Sequence, residues 1–134
     1  MTRGLVGVVA AGGVLGSLGR YAVGLALPHA SGQWPWGTFL VNVTGSLAMG
    51  LLMAWVLTRI DPHPWLRPFL GVGVLGGWTT FSSFALDVHA LSGSGRSGLA
   101  LGYMLASFVV GLVAVAIGLA LGQRAFGDRP RPAL

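Results

Sequence analysis

Residues 4–27, 36–57, 66–88 and 98–122 form four apolar stretches, each long enough to cross a bilayer. This pattern leaves few alternatives, because only 8% of the 134 residues are charged. Soluble domains carry about a quarter charged residues. The chain reads as an all-α integral membrane protein, with four transmembrane helices in a single domain over residues 1–134 and a polar tail over 123–134. The first stretch is longer than a signal-peptide core and shows no small-residue cleavage site before a soluble domain, so it is expected to be retained as a span.

The third stretch contains the least helix-compatible material in the chain. Gly76-Gly77-Trp78-Thr79-Thr80-Phe81-Ser82-Ser83-Phe84 places two glycines and four hydroxyl residues in the middle of an apolar run. Glycine weakens a helix, and Ser and Thr compete for its backbone hydrogen bonds. Irregular backbone at membrane depth is tolerated only inside protein or beside a wet cavity. The sequence therefore predicts a third helix broken in mid-membrane, facing something polar. Freed carbonyls suit a cation, whereas freed N–H groups and hydroxyls suit an anion. Phe81 and Phe84 share a helical face beside that break. Core packing is the commoner role for such a pair, although ring edges are electropositive.

Other polar residues sit within the spans. In the first, Gly12/Gly16 and Gly13/Ser17 are small pairs suited to close helix packing. Arg20 either faces a cavity or a partner, or snorkels to the interface beside Tyr21. In the second, Thr38, Asn42, Gly45, Ser46 and Met49 form one polar-to-small stripe. The Asn42 amide serves either an interhelical hydrogen bond or a pore wall. In the fourth, Tyr103 and Ser107 form an i, i+4 polar pair, and Gly111, Gly118 and Gly122 are packing candidates. In the loops, Trp34 and Trp36 read as interfacial aromatics. His29, Asp87 and His89 read as solvated groups near the water boundary.

These residue types narrow the chemistry. No cysteine is present, which removes disulfides and thiolate-bound metals. No Ser–His–Asp set or metal-ligand spacing is visible, so the chain does not read as an enzyme. No Asp or Glu is expected within a span core, which argues against proton exchange for a cationic drug. Thr38, Asn42, Thr79, Thr80, Ser82, Ser83, Tyr103 and Ser107, with Arg20, all donate hydrogen bonds and none is negative. A donor-rich, acid-free interior suits a small anion. The net charge of +5 is all arginine, lies mostly in loops and tail, and implies topology and lipid contact rather than nucleic acid.

Three segments resemble the Fluc/CrcB family of fluoride channels. They are Gly12–Tyr21, Gly37–Ser46 and Gly76–Phe84, in that order within a four-span chain. The resemblance implies a fluoride-selective passive channel that exports cytoplasmic fluoride, multi-pass in the cell (plasma or inner) membrane. It implies an antiparallel dual-topology dimer with two pores. Phe81 and Phe84 match the aromatic pair that contacts fluoride, and Asn42 matches the pore-lining asparagine. Thr38, Tyr103 and Ser107 resemble the polar track, with Ser82 beside them, and Arg20 resembles the arginine near the pore entrance. Gly76 and Thr79 match residues whose carbonyls, from both subunits, hold a structural sodium ion on the dimer axis. Gly111 departs from the pattern, falling where the track is expected to continue beyond Ser107.

The arginines depart from it as well. Arg3, Arg59, Arg67, Arg124, Arg129 and Arg131 lie on one side, against Arg20 and Arg96 on the other. A dual-topology homodimer should show almost no such bias. Either the tail arginines count little and a second copy is the partner, the reading preferred here, or the chain pairs with an oppositely oriented paralogue. Two further classes stand as alternatives: a proton-coupled small transporter, and a non-conducting membrane assembly subunit whose glycine faces only pack.

Overall fold

A computed structural model describes residues 2–58 and 63–127. Arg59, Asp61, Arg129 and Arg131 lie outside the described residues, as does most of the expected tail. The described chain is helical. Helix α1 is Thr2–Ala26 and α2 is Trp36–Thr58. A wide π-helical stretch, Pro68–Leu75, closes with one α-turn, Gly76–Trp78, and together these form α3 (68–78). Helix α4 is Phe81–Gly93 and α5 is Ser97–Phe126. Four segments are long and apolar enough to span a membrane: Arg3–Ala26, Trp36–Thr58, Pro68–Gly93 and Ser97–Phe126. The chain is a multi-pass membrane protein.

In lipid, helices gain little from hiding apolar surface, and close van der Waals packing holds them instead. Two glycine seams provide it. Along α2 and α5, Gly45, Gly50, Ala54, Ala114, Gly118 and Gly122 are buried. A Cβ on Gly50 would overlap the Val115 carbonyl, and one on Gly118 the Leu47 carbonyl. Along α1 and α3, a Cβ on Gly12 would lie 3.0 Å from Gly73 Cα, and one on Gly77 3.0 Å from Ser17 N. The Gly12/Gly16 pair of the first span therefore serves backbone-to-backbone contact, whereas a Cβ on Gly13 would meet nothing within 4 Å. The π geometry of α3 belongs to the same seam. The Gly76 N–H reaches back five residues to Gly71 O, and Gly73 leaves only 2.8 Å between an added Cβ and Val9 O.

Between α3 and α4 the helical path stops for two residues. Thr79 has φ −79°, ψ 158° and Thr80 has φ −151°, ψ 121°, both extended. The Thr80 hydroxyl then restarts the helix as an N-cap, accepting from Ser83 N at 3.1 Å.

Several boundaries and loop assignments differ from expectation. Helix α4 runs to Gly93 rather than ending near Val88, because Leu91 is only 2% exposed and packs in a cluster with Phe84, Ala100 and Tyr103. The connection to α5 is correspondingly shorter than the gap between the expected spans 66–88 and 98–122, with Gly95 supplying the left-handed turn at φ +78°. Helix α5 continues through Gln123, Arg124, Ala125 and Phe126, residues placed in the tail by sequence, since Gln, Arg and Ala are good helix formers. Asp87 is not a solvated end residue. Its side chain is 13% exposed and lies 3.3 Å from His29 Nε2, so the first loop is tied to α4 and His29 is more than surface decoration. Trp34 packs edge-on against Tyr103 and Phe39, at centroid distances of 5.4 and 5.5 Å, and also lies 5.9 Å from the Trp36 ring.

Candidate ion-permeation site

The interruption at Thr79–Thr80 exposes backbone groups that a continuous helix would pair. Asn42 on α2 meets them. Its Nδ2 donates to Thr80 O at 2.9 Å, and its Oδ1 accepts from Thr80 N at 2.8 Å. One amide thus satisfies both polar groups of one residue, a match available because an amide carries donor and acceptor side by side. The interhelical role of Asn42 is therefore present, and the residue also lines a groove.

That groove, of about 330 Å³, is lined by Asn42, Ser46, Thr79, Thr80, Phe81, Phe84, Ser107 and Phe108. Phe84 forms its floor, 8% exposed, whereas Phe81 stands 76% exposed at its lip. Their ring centroids are 5.7 Å apart with planes tilted by 44°. The Ser107 Oγ is buried with no hydrogen-bond partner among the described residues. An unpartnered buried hydroxyl is costly, so it marks a place where a ligand or water completes the site.

A second groove, of about 500 Å³, lies on the other side of the same interruption. Arg20, Thr38, Ser82, Ser83, Ser17 and Tyr21 contribute to its wall, together with Thr80. Arg20 turns inward: its Nη1 donates to Thr79 O at 3.3 Å. The expected path residues thus divide, with Asn42, Phe81, Phe84 and Ser107 in one groove and Arg20, Thr38 and Ser82 in the other. Thr80 is common to both. Tyr103 lines neither groove. It is fully buried behind Phe84, at a centroid distance of 5.4 Å, and its hydroxyl is unpartnered among the described residues.

Thr80 is a residue whose role in the site sequence reasoning did not identify, although it counted the hydroxyl among the span donors. Besides bonding Asn42, its hydroxyl contacts Ser82 Oγ at 3.2 Å and Ser83 Oγ at 3.1 Å. The available signal was its place as a β-branched hydroxyl two residues before a Ser-Ser pair, which is N-cap chemistry. Trp78 is another. Its Nε1 donates to Thr44 Oγ1 at 3.0 Å, pinning the residue before the interruption to α2.

Gly76 and Thr79 present oxygen chemistry that fits a hard cation. The Thr80 N–H, which would close the next helical turn onto Gly76 O, goes to Asn42 instead, so that carbonyl loses its helical donor. Thr79 O accepts from Arg20, with a second lone pair left over. Hard cations take six or so oxygen ligands, and two carbonyls from one chain fall well short of that. Gly76 is exposed on the single chain.

Known proteins resemble this chain over most of its length. The profile of the family described as CrcB-like protein, Camphor Resistance (CrcB), matches residues 7–119. A fluoride-specific ion channel FluC of Agrobacterium fabrum is 48% identical over 122 residues, covering 90% of this chain and 98% of its own. One from Rhodospirillum centenum is 52% identical over 114 residues, covering 84% and 90%. A third, FluC 2 of Nocardia farcinica, is 43% identical over 123 residues, covering 92% and 88%. With a family match that runs through all four spans and includes every groove residue, the chain belongs to the CrcB-like protein family.

Proposed function

We propose that this protein is a passive fluoride channel, not an enzyme, of the cell's inner or plasma membrane. The observation that carries the reading is the chemistry of the two grooves at the Thr79–Thr80 interruption. Hydroxyls, an amide and a guanidinium line them, with aromatic rings and no carboxylate. Its relatives bear the name of fluoride-specific channels. Fluoride is small and strongly hydrated, so leaving water requires closely spaced donors, and bonds to an anion are roughly twice as strong as neutral ones. Arg20 raises the local anion concentration at one groove, and the Phe81 and Phe84 ring edges add weakly positive contacts at the other.

The grooves are open on the single chain, because Phe81 in one and Ser82 in the other are exposed. A path through lipid must be enclosed by protein. A second chain in antiparallel orientation would enclose both grooves and supply further carbonyls beside Gly76 and Thr79, enough to hold a sodium ion. Sodium there would neutralise freed carbonyls at the interruption. A paralogue is the competing partner, given the arginine bias and relatives numbered FluC 2 and FluC 3.

Asp87 bears on the proton-coupled alternative, since the third span reaches past it to Gly93. Its side chain pairs with loop residue His29 and lines neither groove. Fluoride efflux from liposomes holding the purified chain, with chloride as control and sodium present, tests the reading. Rapid efflux of fluoride alone, insensitive to a pH gradient, is expected. Silence from a well-folded dimer refutes a self-sufficient channel, and rescue by a co-expressed paralogue would identify a heterodimer.

A further inference from the structure

The polar row on α5 ends early. Tyr103 and Ser107 stand one turn apart on one face, and the next position on that face is Gly111. The groove does not end there. A third hollow, of about 390 Å³, shares Ser46, Thr79, Ser107 and Phe108 with the Asn42 groove and runs on past Gly111, Leu112 and Val115. Its polar wall residues are Ser46, Thr79 and Ser107. Along the stretch facing Gly111, α5 offers no side-chain donor, and an ion leaving Ser107 would meet methyl groups.

Ser46, reaching across from α2, stands opposite that gap. A Cβ built on Gly111 would lie 3.7 Å from Ser46 Oγ, ordinary contact distance, with no other neighbour within 4 Å. The hydroxyl now donates to Asn42 O at 2.9 Å. That carbonyl already receives the Ser46 backbone N–H inside the helix, so the side-chain bond is a second, dispensable one. Rotation of the hydroxyl releases its hydrogen toward the groove at small cost. Thr79 bonds Leu75 O in the same way, but among the described residues only Ser46 comes within 4 Å of a Cβ on Gly111.

We infer that Ser46 is a fluoride-contacting residue of the path, supplying from α2 the donor that Gly111 leaves out on α5. This rests on the channel reading above. The alternative role for Ser46 is a small residue packed in a helix seam and bonded to its own backbone.

Fluoride efflux rates from liposomes separate the two. S46A should slow efflux about tenfold, the worth of one hydrogen bond to a charged group. Moving the hydroxyl across the groove in S46A/G111S should restore the rate to within about threefold of the parent. A packing role predicts no such rescue. Wild-type rate in S46A, or a double variant as slow as S46A, overturns the inference. Should S46A fail to assemble, Ser46→Thr and Ser46→Val carry the test, with efflux expected to be about tenfold faster from the first and equal rates refuting it. Silence of the parent protein itself would instead remove the channel reading, and this inference with it.

Discussion

Replacing Asn42 tests whether one amide holds the interruption together. Its two bonds, at 2.9 and 2.8 Å, join α2 to the N–H and the carbonyl of Thr80. Interhelical hydrogen bonds in membranes contribute about 0.6 kcal/mol on average and up to about 1.7. Two bonds to one extended residue should lie toward the upper end, so Asn42→Ala should cost about 2–3 kcal/mol. Asn42→Asp should be worse. The carboxylate still accepts from Thr80 N, but it loses the donor to Thr80 O and sets a negative oxygen against that carbonyl. It also places a like charge on the proposed anion path. Reversible unfolding in mixed micelles gives the stability order, and liposome efflux gives the functional one. Both should run Asn, then Ala, then Asp. An Asp variant as stable and as conductive as the Ala variant would refute the argument, because the donor to Thr80 O would then be unimportant.

Two further outcomes follow from burial and packing. Phe84→Ala should destabilise by about 3 kcal/mol, as a large buried ring lost from the Leu91–Tyr103 cluster does. Phe81→Ala should change stability by under about 1 kcal/mol, since that ring is 76% exposed on the single chain, yet should still reduce fluoride efflux. Gly50→Ala should prevent normal folding or assembly, because its Cβ would overlap the Val115 carbonyl, whereas Gly102→Ala meets nothing within 4 Å and should be neutral or slightly stabilising. Size-exclusion profiles and thermal melts of the purified variants check the glycine pair, and equal behaviour of the two would contradict the seam.

Much of the site was legible in one dimension because membrane insertion makes polar residues conspicuous. Asn42, Arg20 and the hydroxyl run 79–83 stand out against apolar neighbours, and each has a partner or a groove to face. What the sequence could not show was how they divide. Arg20, Thr38 and Ser82 fall on one side of the interruption, and Asn42, Phe84 and Ser107 on the other, because the chain turns through two extended residues between them. Tyr103 shares a helical face with Ser107, yet the Phe84 ring stands in front of it. Asp87 and His29 read as independent surface groups since 58 positions separate them, and only the packing of loop on helix brings them within 3.3 Å.

The sequence by itself determined the membrane class, the number of spans and the weak point of the third helix. These follow from hydrocarbon length, charge cost and glycine content, all of which act locally along the chain. The tertiary structure decided which freed backbone group meets which side chain. Asn42 and Thr80 lie 38 residues apart, and their pairing depends on glycine seams that let α1, α2, α3 and α5 approach backbone to backbone. That closeness is a property of complementary surfaces in three dimensions, which no residue carries alone.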